Sequence, residues 1–293
     1  MTATEVTGHS IGRGRERSSG GWPRLVNLPF VAPMAILVLL FFDLPLLLAF
    51  GWSIRDHKTH EFTLENYEEF FTSRIYIQII WRTFFIAAIV TFSCAVLAYP
   101  LAYWMSRLSP RHQLIAICCV VVPFWVSILV RTYAWIVVLG NGGIVNRWLQ
   151  GLGLTDRPVS FLYNEFGVTL GMVNVLLPFL ILPLYAAMLK FDKRLAQVAA
   201  TLGAKDRAIF WRVFFPVTFP ALAAGMVLVF ILSLGFFITP AILGGGKVPM
   251  IANAMDMLIN RFSRWEMAAV VSAMLLAFTL TFYAFYQWLR ART

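Results

Sequence analysis

The stretch 194-RLAQVAATLGAKDRAIFWRVFFPVTFP-220 decides how the rest of this chain is read. It is a short basic interruption between two long apolar segments. Asp192 is placed to cap a helix over about 193–202, because a carboxylate accepts the orphan amides of a first turn. Leu195, Val198, Ala199 and Leu202 then share one face. Gly203 supplies the positive-φ residue that ends that helix, and Ala204 follows it. Asp206 is placed to cap a second short helix whose Ile209, Phe210, Val213 and Phe214 face the membrane or the bundle, and Pro216 leads into the next apolar run. The stretch carries no catalytic grouping. Its small residues Ala196, Ala199, Ala200 and Ala204 let another surface come close.

Outward from this loop the chain is mostly apolar. Of its 293 residues 60% are hydrophobic and 13% charged. A soluble domain cannot hide that much apolar surface, so the class is an all-α polytopic membrane protein. A bilayer core needs about 20 apolar residues per helix. Six runs qualify: roughly 29–52, 79–105, 113–139, 166–190, 215–243 and 267–289. The formal net charge of +10 is arranged by side rather than gathered into a nucleic-acid surface. With the N-terminus inside, Arg13, Arg15, Arg17, Arg24, Arg107, Arg111, Lys190, Lys193, Arg194, Lys205, Arg207, Arg212, Arg290 and Arg292 lie on one side against Glu5, Glu16, Asp192 and Asp206. The opposite loops are near balance. The positive-inside rule therefore predicts both termini in the cytoplasm.

The expected organisation is a disordered cytoplasmic tail over 1–28, a first membrane helix with an external loop over 29–76, and a membrane core over 77–288 containing the loop 191–214. The external run ENYEEFF, around Asn66 and Tyr67, reads as a short amphipathic surface helix. After the turn Gly140–Gly143, Ile144, Trp148 and Leu152 fall at helical spacing, ending at Gly151 or Gly153. Pro45, Pro100, Pro123, Pro178, Pro183, Pro220 and Pro240 lie in or near the spans, where each removes a backbone donor. Gly235, Thr239 and Pro240 are expected to break the fifth span, exposing carbonyls that must face protein or a cavity. Phe236 and Phe237 stand beside that weak point as a candidate gate. Asp43 and Arg131 are intramembrane charges at matching depth, placed to pair or to line a pathway. Cys94, Cys118 and Cys119 show neither metal spacing nor a disulfide pattern. Gly244–Lys247 has neither the spacing nor the context of a phosphate-binding loop, so the chain holds no nucleotide site and must borrow its energy.

The loop resembles the cytoplasmic loop of ABC importer permeases, whose pattern is Glu-Ala-Ala, three residues, Gly, and a long gap to Pro. Gln197 stands in the Glu position, Val198 and Ala199 in the Ala positions, with Gly203 and Pro216 following. Tyr99-Pro100-Leu101-Ala102-Tyr103, Val122-Pro123-Phe124-Trp125, Arg131-Thr132-Tyr133-Ala134-Trp135, Leu177-Pro178-Phe179, Leu182-Pro183-Leu184-Tyr185 and Gly235-Phe236-Phe237 are similar to motifs of the spermidine/putrescine-type branch. The resemblance implies a type I ABC importer permease fold in a bacterial inner membrane. It implies coupling through Gln197, Val198, Ala199, Gly203, Ala204, Asp206 and Pro216, and a pathway near Asp43, Arg131, Trp135, Phe236, Phe237, Thr239 and Pro240. The implied partners are a second, non-identical permease, a dimeric ATPase holding ATP and Mg, and an external solute-binding protein. The solute is a polyamine, or alternatively an opine or amino-acid-like molecule. An ion-coupled secondary transporter is the reading from another class; it would show inverted repeats and coupling groups within the spans.

Overall fold

The computed structural model describes residues 28–55 and 61–292, so the tail expected at 1–28 lies, but for Leu28, outside the described residues. The chain divides into two units, Met1–Leu48 and Ala49–Thr293. In the first, α1 (Leu28–Val38) runs through a widened π turn (Leu39–Asp43) into α2 (Leu44–Ser53), which crosses the unit boundary. The π turn has a local cause. Pro45 has no N–H and its ring would meet the carbonyl one α turn back; widening that turn relieves the clash. Met34, Phe41 and Leu47 are exposed, as side chains that face lipid must be.

The second unit begins with α3 (Glu65–Thr72), the amphipathic helix expected from ENYEEFF, and α4 (Arg74–Arg107). The buried residues of α4 recur at three- and four-residue steps, Thr83, Ile86, Ala87, Val90, Thr91, Cys94, Ala98 and Ala102, which draws one continuous buried stripe. After α5 (Pro110–Val121), a 3₁₀ turn at Val122–Trp125 and extended backbone at Val126 precede α6 (Ile128–Leu139). The expected span 113–139 is therefore not one helix. Pro123 cannot continue the α ladder, and Val126 leaves it with ψ 133°. Amphipathic α7 (Ile144–Gly151) follows where its spacing predicted, and Gly153 turns the chain with φ +67°.

α8 (Glu165–Leu189) is apolar all round and buried on several faces, as the central helix of a bundle is. It packs against α4 and against α11 (Phe215–Leu234), and α4 and α11 also meet. Gly225 lets α11 close on Leu180 of α8, where a Cβ would collide with the leucine side chain. Tyr99 and Thr218 add a hydroxyl pair at 2.9 Å between α4 and α11. Between α8 and α11 lie α9 (Lys193–Thr201), α10 (Asp206–Ile209) and a second π turn (Phe210–Phe214). Pro216 stands two residues after that turn, as Pro45 does after the first.

α12 (Ile238–Leu243) and α13 (Ile251–Asn260) lead to α14 (Trp265–Arg292). Among the described residues six stretches are long and apolar enough to cross a membrane: Ala32–Ser53, Arg74–Arg107, Ile128–Gly151, Glu165–Leu189, Asp206–Leu234 and Trp265–Trp288. The all-α, six-span expectation holds. Cys94 is buried in the core, whereas Cys118 and Cys119 are exposed on α5.

Candidate functional site

The loop between α8 and α11 is built from its caps. Asp192 Oδ1 accepts the amide of Arg194 at 2.9 Å and starts α9. At the other end Gly203 has φ +82°, its N–H reaches the Ala200 carbonyl at 2.9 Å, and Ala204 N–H reaches back to Ala199 at 3.1 Å. This pair of bonds is a Schellman closure, and it demands the left-handed residue expected there. Asp206 departs from expectation: Lys205 is the N-cap, with no side-chain bond, and Asp206 is the first helical residue. Its carboxylate still lies in a first turn, where the helix dipole favours a negative charge. Leu195, Val198 and Leu202 share the outer face of α9 and are 48%, 58% and 83% exposed. On the inner side a cavity of about 600 Å³ is lined by Tyr103, Arg107, Phe191, Gln197, Asp206 and Phe210 among others. Arg107 lies over the Tyr103 ring, 4.3 Å from its centre. Gln197 and Asp206, far apart in the loop, thus share one wall.

The helix break lies slightly upstream of its expected place. α11 stops at Leu234, Gly235–Phe237 are not helical, and α12 restarts at Ile238. Thr239 and Pro240 are inside α12 rather than at the break. Pro240 sits in the first turn, where amides have no intrahelical acceptor, so its missing donor costs nothing there. Thr239 is fully buried and its Oγ1 has no hydrogen-bond partner. Gly171 of α8 makes room for α12: a Cβ there would lie 2.6 Å from the Thr239 methyl and 2.5 Å from Leu243.

Phe236 and Arg131 line one cavity of about 260 Å³ with Phe124, Phe179, Val175 and Leu232. Phe124 and Phe179 meet edge to face, 5.3 Å apart. Arg131 Nη2 donates to the carbonyls of Pro123 at 2.5 Å and Val126 at 3.0 Å. The guanidinium thereby binds two carbonyls at the helix break before α6, sharing that of Pro123 with the Val126 amide, and its Nε, buried, has no partner. Asp43 closes the π turn of the first unit, half-buried among exposed apolar side chains. Trp135 packs against the main core and does not line this cavity. Phe237 lines a different hollow with Pro240, described below. The rings of Phe124 and Phe179 were not foreseen as site residues. Their signal was the Pro beside each, at Pro123 and Pro178, since a broken or strained helix turn is where a cavity forms.

Two polar clamps tie the opposite end of the bundle. Arg82 of α4 pairs with Glu165 of α8 at 3.3 Å and donates to the Lys247 carbonyl at 3.2 Å. Arg264, before α14, forks onto Glu69 of α3 with bonds of 2.8 and 2.5 Å. That hydrogen bond holds the Glu69 carboxyl below its usual range, against an opposing push from burial.

A bundle of membrane helices with a broken segment beside a cavity and a capped basic loop outside the spans defines a membrane permease. Residues 83–293 match the family described as binding-protein-dependent transport system inner membrane component, and the chain belongs to that family. It is a permease subunit of an ABC importer, a multi-pass inner-membrane protein and not an enzyme. Such permeases work with a second permease, an ATPase and a binding protein, which sets aside the ion-coupled secondary transporter. The chain is 38% identical over 212 residues to the spermidine/putrescine transport system permease protein PotB of Haemophilus influenzae, covering 72% of this chain and 73% of that one. It is 32% identical over 240 residues to PotB of Escherichia coli, covering 80% and 87%. A bacterial alginate ABC transporter, solved with its alginate-bound periplasmic protein, has the same fold at TM-score 0.73 and 20% identity, covering 89% of this chain and 92% of that one.

Proposed function

We propose that this permease moves a polyamine such as spermidine or putrescine inward across the membrane. The observation that carries the reading is the extent of likeness to PotB proteins, which covers 72% of this chain at 38% identity in one and 80% at 32% in another. The solute arrives on an external binding protein. A dimeric ATPase holding ATP and Mg supplies the energy, and a second, non-identical permease completes the pathway. Both termini lie in the cytoplasm, the side on which the basic residues concentrate.

Alternating access follows from two parts of the chain. The loop containing Gln197, Val198, Ala199, Gly203, Ala204 and Asp206 docks on the ATPase, and its motion passes through the π turn to Pro216 and α11. At the far end of α11 the chain is unwound at Gly235–Phe237. A movement of α11 there shifts Phe236 against Phe124 and Phe179, closing or opening an apolar constriction, and apolar constrictions also expel water. Thr239 and Pro240 in α12 form the fixed edge against which that motion works. Arg131 holds the neighbouring break open by filling its carbonyls.

A second solute class has one observation in its favour. Arg131 puts a cation on the wall of the Phe236 cavity, which suits a carboxylate-bearing opine or amino-acid-like solute. Uptake by proteoliposomes holding the complete importer separates the two. Labelled spermidine or putrescine accumulates with ATP, and unlabelled polyamine suppresses the signal whereas an opine does not. Competition by the opine alone would transfer the assignment to the second class.

A further inference from the structure

The hollow beside Phe237 is separate from the Phe236 cavity. It has a volume of about 410 Å³, and its walls include Phe237, Pro240, Asn253, Asp256, Met257 and Arg261. α13 is tied to the helix break by two bonds. Asn253 Nδ2 donates to the Phe237 carbonyl at 3.0 Å, and the Ile251 amide donates to Thr83 Oγ1 of α4 at 3.0 Å. Asp256 lies three residues after Asn253 and so shares its face, which carries the carboxylate into the hollow. One carboxylate oxygen accepts from Asn260 Nδ2 at 2.7 Å. Among the described residues no cation pairs with Asp256. Arg261 reaches the same hollow but is exposed at the end of α13, where water screens its charge. Phe237, 39% exposed, presents a ring to the same space.

A carboxylate with a free oxygen beside an aromatic ring is what an alkylammonium group seeks. The oxygen accepts a charge-assisted hydrogen bond, and the ring face attracts the cation and the methylenes behind it. The placement also matters: the ring belongs to the unwound turn itself, so a bound solute would touch the element that moves. We propose that Asp256 and Phe237 form a subsite for a primary ammonium end of the transported solute, making Asp256 a specificity-determining residue of the pathway. The proposal rests on the polyamine reading above.

The test is ATP-driven uptake of labelled spermidine by proteoliposomes containing the complete importer and its loaded binding protein. Asp256→Asn is the informative change, because its amide oxygen still accepts from Asn260 and the fold is kept. Uptake per ATP hydrolysed falls about tenfold, as loss of one charge-assisted contact implies. Asp256→Glu keeps most of the uptake, and Arg261→Gln, which removes a cation beside the carboxylate, does not lower it. Wild-type uptake by Asp256→Asn would overturn the subsite while leaving the polyamine reading intact. A loss in Arg261→Gln as large as in Asp256→Asn would also overturn it, since it would mark a site for a zwitterion. Absence of spermidine and putrescine uptake by the wild type would remove the polyamine reading and the subsite with it.

Discussion

Gly203 shows how much one residue decides. Its φ of +82° lets α9 end and the chain reverse, yet nothing lies within 4 Å of the place a Cβ would take. A side chain there is opposed by backbone conformation alone, at about 1–2 kcal/mol and more for a β-branched residue. Gly203→Val is therefore expected to insert and assemble, because the core helices do not touch the position, but to lose solute-stimulated ATP hydrolysis by the complex. Normal stimulation in purified complex would remove the loop from the coupling mechanism. At the other end of the bundle Glu69 makes a pH prediction. Its folded pKa is depressed, first by the hydrogen bond from Arg264. The contribution of the pair is thus present above the ordinary carboxylate value of 4.5 and is lost as pH falls through the lower, folded value. Both side chains are about one-third or more exposed, so the pair is worth less than about 1 kcal/mol after screening. Glu69→Gln should melt slightly below wild type in detergent at pH 7, and the gap should close in acid. A gap that persists at acid pH would mean the side chain acts through packing instead.

Among the elements, the proposed mechanism rests on the broken fifth span, which was only partly legible in the sequence. Gly235 followed by two phenylalanines announced a weak point. The sequence could not place the restart, because a proline is a breaker within a helix and a good residue in its first turn; Pro240 turned out to be the latter. The same ambiguity hid the break in the third run, where Pro123 ends α5 instead of merely bending it. The loop was the most legible element, since Asp192 and Gly203 act through local backbone chemistry that needs no neighbours. Asp206 misled because an acid before a short helix suits both the cap and the first turn. The cavity at Phe236 was illegible in its partners: Phe124 and Phe179 come from distant segments and meet only through packing. With those rings in place, Phe236→Ala should open the constriction. Solute leak from proteoliposomes without ATP is expected to rise severalfold over wild type, with assembly intact. Equal leak would place the barrier elsewhere along the bundle.

For the whole molecule, the division of labour is visible in where polarity is allowed. The central stripe joining α4, α8 and α11 is largely apolar and closely packed, with Gly225 where α11 meets α8 and Gly171 where α12 meets α8. Charged clamps appear at one end, where Arg82 and Arg264 each tie together segments remote in sequence. At the other end a cavity of about 600 Å³ lies behind the loop, and among the described residues no ion pair like those two ties it. Six apolar runs made the architecture readable at once, because membrane thickness fixes helix length. What the runs could not reveal was which helix sits in the middle. α8 packs on both α4 and α11, but its apolarity on every side does not by itself distinguish lipid from protein as the neighbour in a membrane.

The outer face of α9 has a consequence for the lifetime of the protein in a cell. Leu195, Val198 and Leu202 stand out from the loop rather than from a span, so lipid does not cover them. A subunit made without its ATPase would show this patch to the cytosol, where exposed apolar residues mark a chain for chaperones and proteases. The same three side chains would then report whether assembly is complete. In cells lacking the ATPase gene the permease should turn over faster than in the full system, as followed by pulse-chase, and Leu202→Gln should lengthen its half-life there. An orphan subunit as long-lived as the assembled one would show that cells take no notice of the exposed face.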